Sequence, residues 1–145
     1  MNIKEQVLSI AQVQELIELG FDVNKHASMC WIKYTSDEDP YEETYNLTIL
    51  DENCYEMTCL APIPTLSIGD IMEILPKVIP ILDTAKSSIF SVLKSYVLQT
   101  DMKTYLKYKY EDGNNLLVTI ESTYFINMLF DTLKWCIINK HIQCQ

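Results

Sequence analysis

Apolar residues recur with two different periods along this chain, and these periods constrain the fold more than any other feature. Val13, Leu16, Ile17 and Leu19 follow the spacing of one face of a helix. Over 45–49 and 55–59, apolar and polar residues alternate, which is typical of half-buried strands. A chain that mixes the two periods predicts an α+β fold.

Two helices are predicted in the N-terminal half. Ser9 and Gln12 have the spacing of a capping box, so we expect a helix over 9–19, followed by Gly20 as its C-cap signal. Ser67 is a suitable N-cap for a short helix over 68–75.

A third helix is expected from about Tyr124 to Asn139, with the narrow polar stripe Asn127, Asp131 and Lys134. A helix this apolar packs across a sheet or against a partner.

Strands are predicted in the segments between these helices. One strand is expected over 29–34, and an acidic loop over 35–43 follows it. Two hairpins are expected, one pairing Tyr45–Ile49 with Tyr55–Cys59 and one pairing Tyr105–Tyr110 with Leu116–Glu121.

Two further features bear on this strand pattern. Pro62 and Pro64 are expected to end the first hairpin. Residues 85–99 fit either period, and we favour a helix there. The sequence therefore predicts a single α+β domain over 1–145. Its sheet is mainly antiparallel and built of hairpins, with an N-terminal and a C-terminal helix packed on it.

The net charge of −9 excludes a free-standing binder of long nucleic acid, which needs a basic surface. The chain contains no apolar run long enough for a transmembrane helix, and its first residues do not resemble a signal peptide. We therefore expect a soluble, cytoplasmic protein without a membrane partner.

Charge is distributed unevenly along the chain. Residues 34–76 carry ten acidic residues and no lysine, whereas 77–145 carry eight lysines and six acidic residues. The excess of acidic residues in 34–76 indicates either a solvated loop or an acidic face that steers a basic partner. The densest acidic positions are Asp37, Glu38, Asp39, Glu42 and Glu43.

The chain contains no arginine, so an anion site must use lysine, hydroxyl, tyrosine or backbone N–H groups. The segment 103–110 interleaves lysines with aromatic residues. Strand alternation places Lys107 and Lys109 on one face and Tyr108 on the other. This pattern is typical of an amphipathic strand, and it also suits a small anionic ligand.

Catalytic and metal sites find little support. Cys54 and Cys59 have a metal-like spacing, but no second pair accompanies them and His141 lies in the expected frayed tail. His26 and Ser28 lack the surroundings of a nucleophile. We expect no catalytic residues, no metal and no cofactor.

A ligand site is the favoured functional interpretation. Trp31, Tyr34 and Tyr108 would enclose an aromatic base, and lysines with polar neighbours would meet phosphate groups. The candidate ligand-binding residues are Lys25, His26, Ser28, Trp31, Tyr34, Lys107, Tyr108 and Lys109.

Four stretches carry a resemblance: 16–23 with ELGFD, 25–31 with ASMCW, 71–77, and 133–139 with WCIIN. The chain resembles a group of small uncharacterised proteins found in gut-bacterial genomes, prophages and phages. The resemblance implies a mobile-element setting but no activity. By analogy with small phage proteins that blunt host defences, it gives weight to an anti-defence role.

The leading hypothesis is therefore a non-catalytic phage or prophage protein that sequesters a nucleotide-like immune signal. One alternative is an acidic inhibitor of a basic host protein, such as a nuclease or a DNA-binding factor. The other is a nucleotide-processing enzyme. A homo-oligomer remains open, because the apolar C-terminal helix suits either a core or a dimer face.

Overall fold

The structure is a computed structural model of the 145-residue chain. It describes residues 6–35, 43–50, 62–84, 91–100, 105–110, 116–122 and 124–142. Side chains at a few strand ends, including Tyr34 and Glu43, lie outside the description. The chain divides into two compact units, one within Met1–Ile74 with Cys144–Gln145 and one within Leu75–Gln143.

The described part of the first unit holds two helices, one 3-10 turn and one three-stranded antiparallel sheet. Its elements are α1 (Ile10–Glu18), the 3-10 turn Val23–Lys25, β1 (Met29–Thr35), β2 (Glu43–Ile49), β3 (Ile63–Thr65) and α2 (Ile68–Ile74). The strand order is β2-β1-β3, and Trp31 on the central strand lies opposite Leu47 and Ile63.

Helix α1 begins and ends as the sequence predicts. The Ser9 side chain accepts a hydrogen bond from the Gln12 backbone N–H, and the Gln12 side chain accepts one from the Ser9 N–H. At the other end Gly20 has a φ of +87°. The Gly20 N–H donates to the Ile17 carbonyl and the Phe21 N–H to the Leu16 carbonyl, which is a Schellman motif.

Leu8 is fully buried in the core of the first unit, and its backbone groups form three hydrogen bonds there. The Leu8 N–H donates to the Leu66 carbonyl at 2.9 Å. The Leu8 carbonyl accepts from Trp31 Nε1 at 3.0 Å and from Thr65 Oγ1 at 2.7 Å. These bonds satisfy the polar atoms that the core buries, which is the condition for burying them at low cost.

The described part of the second unit is one antiparallel sheet covered by one long helix. Its elements are β4 (Val78–Thr84), β5 (Ser91–Thr100), β6 (Leu106–Tyr110), β7 (Leu116–Ile120) and α3 (Phe125–Ile138). The strand order is β4-β5-β6-β7. Leu106 and Tyr108 are fully buried, and Tyr108 contacts Cys136 of α3. The helix therefore covers the face of the sheet to which these side chains belong.

The predicted α+β class, with antiparallel pairing and terminal helices packed on sheet, is confirmed. The described strands form two sheets, one in each unit. The helices at 9–19, 68–75 and 124–139, the strand at 29–34 and the hairpin of β6 and β7 are confirmed within a residue or two. The single domain over 1–145 stays a prediction.

One of these predictions is wrong. Residues 91–99 belong to strand β5 and not to a helix. They pair with β4 on one side and with β6 on the other, so tertiary pairing decides between two local periods that fit equally well. The expectation that Pro62 and Pro64 end the first hairpin stays a prediction, because residues 51–61 are not described. Pro64 itself lies in β3, at the edge of its sheet, where a missing N–H is tolerated.

Strand β4 is not among the predicted strands, and Pro80 lies inside it. Because β4 is also an edge strand, the proline is accommodated there too. The predicted return strand 55–59 and most of the acidic loop 35–43 lie outside the described residues. Thr35 ends β1, and Glu43 begins β2.

Candidate functional site

Lys25 and His26 lie at the end of the 3-10 turn of the first unit, and both are exposed. The His26 ring stacks on Phe21, with centroids 5.5 Å apart and planes 14° apart. Phe21 is the buried residue that closes the Schellman motif of α1. His26 is thus a surface cover for an apolar side chain.

Ser28 is bound to the N-terminus of α2. Its hydroxyl donates to Asp70 Oδ2 at 2.6 Å, and its backbone N–H donates to the same oxygen at 3.1 Å. Asp70 also accepts from the Ser67 N–H at 2.9 Å, while Ser67 Oγ accepts from the Asp70 N–H. The Ser28 hydroxyl is therefore engaged by a helix-capping carboxylate and makes no hydrogen bond to His26.

Trp31 is a core residue. Its side chain is 7% exposed, and its indole N–H is satisfied by the Leu8 carbonyl. The burial corrects the interpretation of Trp31 as an aromatic at the mouth of a pocket. Tyr34 lies in β1 opposite Thr44, and its side chain is outside the description.

Tyr108 is likewise a core residue, with no exposed surface. Its hydroxyl donates to the Pro76 carbonyl at 2.8 Å and lies 3.9 Å from Cys136 Sγ. Burial raises the pKa of Tyr108, and burial also raises the pKa of Cys136 to about 11. Both groups are protonated at neutral pH, and neither Tyr108 nor Cys136 has exposed surface through which it could meet a ligand.

Lys107 and Lys109 occupy the face of the second sheet that α3 leaves open. Successive strand residues face opposite sides of a sheet, so these lysines lie opposite the buried Leu106 and Tyr108. Both lysines are half-buried. Lys107 Nζ lies 4.5 Å from the centroid of the Tyr105 ring, a cation–π distance.

Exposed apolar side chains lie on the same face as the lysines. The register places Val78 opposite Val97, Val97 opposite Lys109, and Lys109 opposite Leu116. The pairing of β6 with β7 shifts register between Tyr108 and Lys109, so strict alternation does not apply between Leu116 and Thr119. Val78 is 44% exposed and Leu116 is 50% exposed. We call this side of the second sheet the open face. It is defined by Val78, Leu82, Val97, Gln99, Lys107, Lys109, Leu116 and Thr119.

The eight predicted ligand residues thus divide between the two units. The first four, with Tyr34, belong to the first unit, and Lys107, Tyr108 and Lys109 belong to the second. Within the second unit, the two lysines share a face and Tyr108 does not. The acidic positions Asp37, Glu38, Asp39 and Glu42 lie outside the described residues.

The expectation that His141 lies in a frayed tail is wrong, because His141 belongs to the C-terminal cap of α3. Lys140 adopts a φ of 60°, and the His141 N–H donates to the Cys136 carbonyl at 2.8 Å. The His141 ring lies 5.0 Å from the Trp135 ring, which stacks in turn on Tyr108 at 6.0 Å. Burial lowers the pKa of His141. A Schellman motif with lysine in the place of glycine gives no sequence signal.

Gln99 and Thr119 were also missed as members of the open face. Their connection to Lys107 depends on strand register, with Gln99 on β5 and Thr119 on β7 each directly opposite it. A sequence that is interpreted as a helix over 85–99 cannot supply that register.

Among the described residues, no group of three or more His, Cys, Asp or Glu side chains is arranged to hold a metal ion. No described helix combines the length and the apolar character needed to cross a membrane. No family model, curated protein or solved structure matches this chain significantly.

Proposed function

We propose that this protein is a non-catalytic binding protein that sequesters a small, nucleotide-like anionic ligand on the open face of its second sheet. The observation that carries the proposal is the placement of Lys107 and Lys109 on the sheet face opposite α3, next to exposed apolar side chains. Ammonium groups recognise phosphate, and flat apolar surface accepts a base.

The charge distribution supports this location. The sequence from 77 to 145 is net basic by two charges, although the whole chain is strongly acidic. Since like charge raises the cost of bringing an anion to a surface, the second unit offers the more favourable local field.

The chemistry of the described residues supports binding rather than turnover. Ser28 is held by a capping carboxylate, and the protonated Tyr108 and Cys136 are buried. An enzyme needs a nucleophile or base within reach of a substrate. The resemblance to phage and prophage proteins suggests the setting, in which the ligand is a nucleotide-like immune signal of the host.

The test is a thermal-shift screen against nucleotides, cyclic nucleotides and ADP-ribose derivatives. A ligand at 100 times its dissociation constant stabilises a binding protein by about 2.7 kcal/mol. We expect a hit that the double variant Lys107→Gln/Lys109→Gln abolishes. The matched single variant Lys25→Gln, which removes an exposed lysine in the first unit, should keep it.

Ligand analysis after denaturation separates sequestration from catalysis. A sequestering protein returns the ligand unchanged, whereas recovery of a converted ligand would establish the enzyme alternative. A hit that is lost in Lys25→Gln and kept in the double variant would move the site to the first unit.

A second candidate function rests on the ten acidic residues within 34–76. We propose as the alternative an inhibitor that covers a basic protein with this segment. Its association rate should fall steeply with rising salt, because long-range attraction between exposed charges is screened. Neutralising Asp37, Glu38, Asp39, Glu42 and Glu43 together should abolish such binding and leave nucleotide binding intact.

A further inference from the structure

The open face is divided into two rows of different chemistry, and this division specifies the shape of a ligand. The first row runs across three strands, with Gln99 on β5, Lys107 on β6 and Thr119 on β7. We call it the polar row. Directly opposite residues on neighbouring strands have Cβ atoms about 5 Å apart, so all three side chains are within reach of one bound group.

The second row runs across all four strands of the sheet. It consists of Val78 on β4, Val97 on β5, Lys109 on β6 and Leu116 on β7. We call it the apolar row. It lies two residues along β6 from the polar row, a distance of about 7 Å.

Each row suits one kind of chemical group. The polar row offers an ammonium, an amide and a hydroxyl, which together can donate hydrogen bonds to several oxygens of one phosphate. Gln99 and Thr119 are exposed, so their polar groups are accessible.

The apolar row offers apolar side chains on both sides of one cation, with Val97 and Leu116 opposite Lys109. Lysine covers neighbouring apolar surface with its stem while its ammonium remains in solvent, which fits the half-buried state of Lys109. A cation beside an apolar strip favours an aromatic ring over an alkyl chain, because only the ring adds a cation–π contribution.

Building on the proposed function, we infer that the ligand class is an aryl or nucleoside monophosphate. Its phosphate would bind the polar row, and its ring would lie on the apolar row. The 7 Å between the rows matches a phosphate joined to a ring through a short linker such as a ribose. Gln99, Thr119 and Val97 are thereby assigned as binding residues in addition to the lysines.

The test is isothermal titration calorimetry with four probes: adenosine 5′-monophosphate, adenosine, inorganic phosphate and hexyl phosphate. We expect the nucleotide to bind at least about tenfold more tightly than each of the others, since only it engages both rows. Thermal unfolding of every variant verifies that it is folded.

Two substitutions separate the rows. Thr119→Val removes a hydroxyl at nearly constant volume and should weaken nucleotide binding about three- to tenfold without changing the affinity for adenosine. Leu116→Ser should weaken the nucleotide and adenosine alike and leave inorganic phosphate unchanged. A third substitution, Gln99→Ala, should weaken nucleotide binding in the same way as Thr119→Val. Gln14→Ala, which changes an exposed glutamine on α1, is its matched control.

The outcomes distinguish the two levels of the proposal. If the nucleotide binds through Lys107 and Lys109 but Thr119→Val and Gln99→Ala have no effect, the assignment of the rows is overturned and the proposed function stands. Equal affinity for hexyl phosphate would overturn the aromatic requirement. If no anionic probe binds, the proposed function itself fails, and the assignment fails with it.

Discussion

Glycine has opposite consequences at two positions of this chain. Gly20 has a φ of +87°, a backbone conformation that costs an L side chain about 1 kcal/mol or more. Gly69 lies inside α2, and a Cβ built there meets only Ser67 Oγ at 3.7 Å, an ordinary contact. The backbone, and not the available space, decides what each position tolerates.

We therefore predict opposite signs for the same substitution. Gly20→Ala should lower the free energy of unfolding by about 1 kcal/mol, whereas Gly69→Ala should raise it by about 0.5–1 kcal/mol because alanine is the better helix former. Urea unfolding of both variants measures the difference. Two changes of the same sign would contradict the assigned conformations.

His141 gives a pH dependence whose sign follows from its burial. A histidine with a lowered pKa in the folded state binds a proton more readily when the chain unfolds. Above pH 6.5 both states are neutral and the group has no effect. As pH falls below 6.5 the unfolded state gains the proton first, so stability is lost.

The variant His141→Phe keeps a ring beside Trp135 and cannot titrate. We predict that the wild type loses stability between pH 7.5 and pH 5 relative to this variant. Urea unfolding at several pH values measures the loss. An identical pH dependence in the two proteins would show that His141 is as solvated in the folded as in the unfolded state.

The residue scale also shows what sequence alone supplies. Gly20 and the Ser9 capping box follow from residue type, because each is the residue that its backbone position demands. Burial of Trp31 and Tyr108 does not, since an aromatic residue in a strand suits a pocket wall and a core equally well. Only the partners of their polar atoms, the Leu8 and Pro76 carbonyls, decide the question.

At the scale of elements, the start of α2 is connected to the start of β1. One oxygen of Asp70 accepts hydrogen bonds from Ser67, which directly precedes the helix, and from Ser28, which directly precedes the strand. The carboxylate thus caps a helix and ties it to a segment 42 positions away along the chain. The sequence indicates that this helix is capped, but it does not indicate the hydrogen bonds between Asp70 and Ser28.

Asp70→Ala should therefore cost more than the loss of a helix cap alone. We predict a decrease of about 2 kcal/mol in the free energy of unfolding, combining the cap with hydrogen bonds to a charged acceptor. Asp22→Ala is the matched control, because Asp22 precedes the 3-10 turn without a side-chain capping bond. Equal effects of the two substitutions would contradict a stabilising role of the hydrogen bonds between Asp70 and Ser28.

Strands β4 and β5 mark the limit of prediction at this scale. Local pattern predicts β6 and β7, which are adjacent along the chain and form a hairpin. It fails for β5, which is defined by pairing with a strand on each side, and for β4, whose Pro80 is tolerated only because the strand lies at an edge. Pairing between strands that are distant along the chain is harder to predict from sequence than a local turn is.

At the scale of the whole molecule, charge is separated along the chain. The acidic excess lies within 34–76, and the lysines of the open face lie in a stretch that is net basic. The order of charges is visible in the sequence. The open face itself is not, because it is assembled from four strands of which sequence predicts two.

The central claim is that the open face of the second sheet binds a nucleotide-like anion. The most direct measurement is a titration of isotope-labelled protein with adenosine 5′-monophosphate, followed by amide chemical shifts. We predict that shifts are concentrated at Gln99, Lys107, Lys109 and Thr119, and that the buried indole N–H of Trp31 stays in place. Shifts that are centred on 25–31 instead, or no shifts at saturating nucleotide, would contradict the claim.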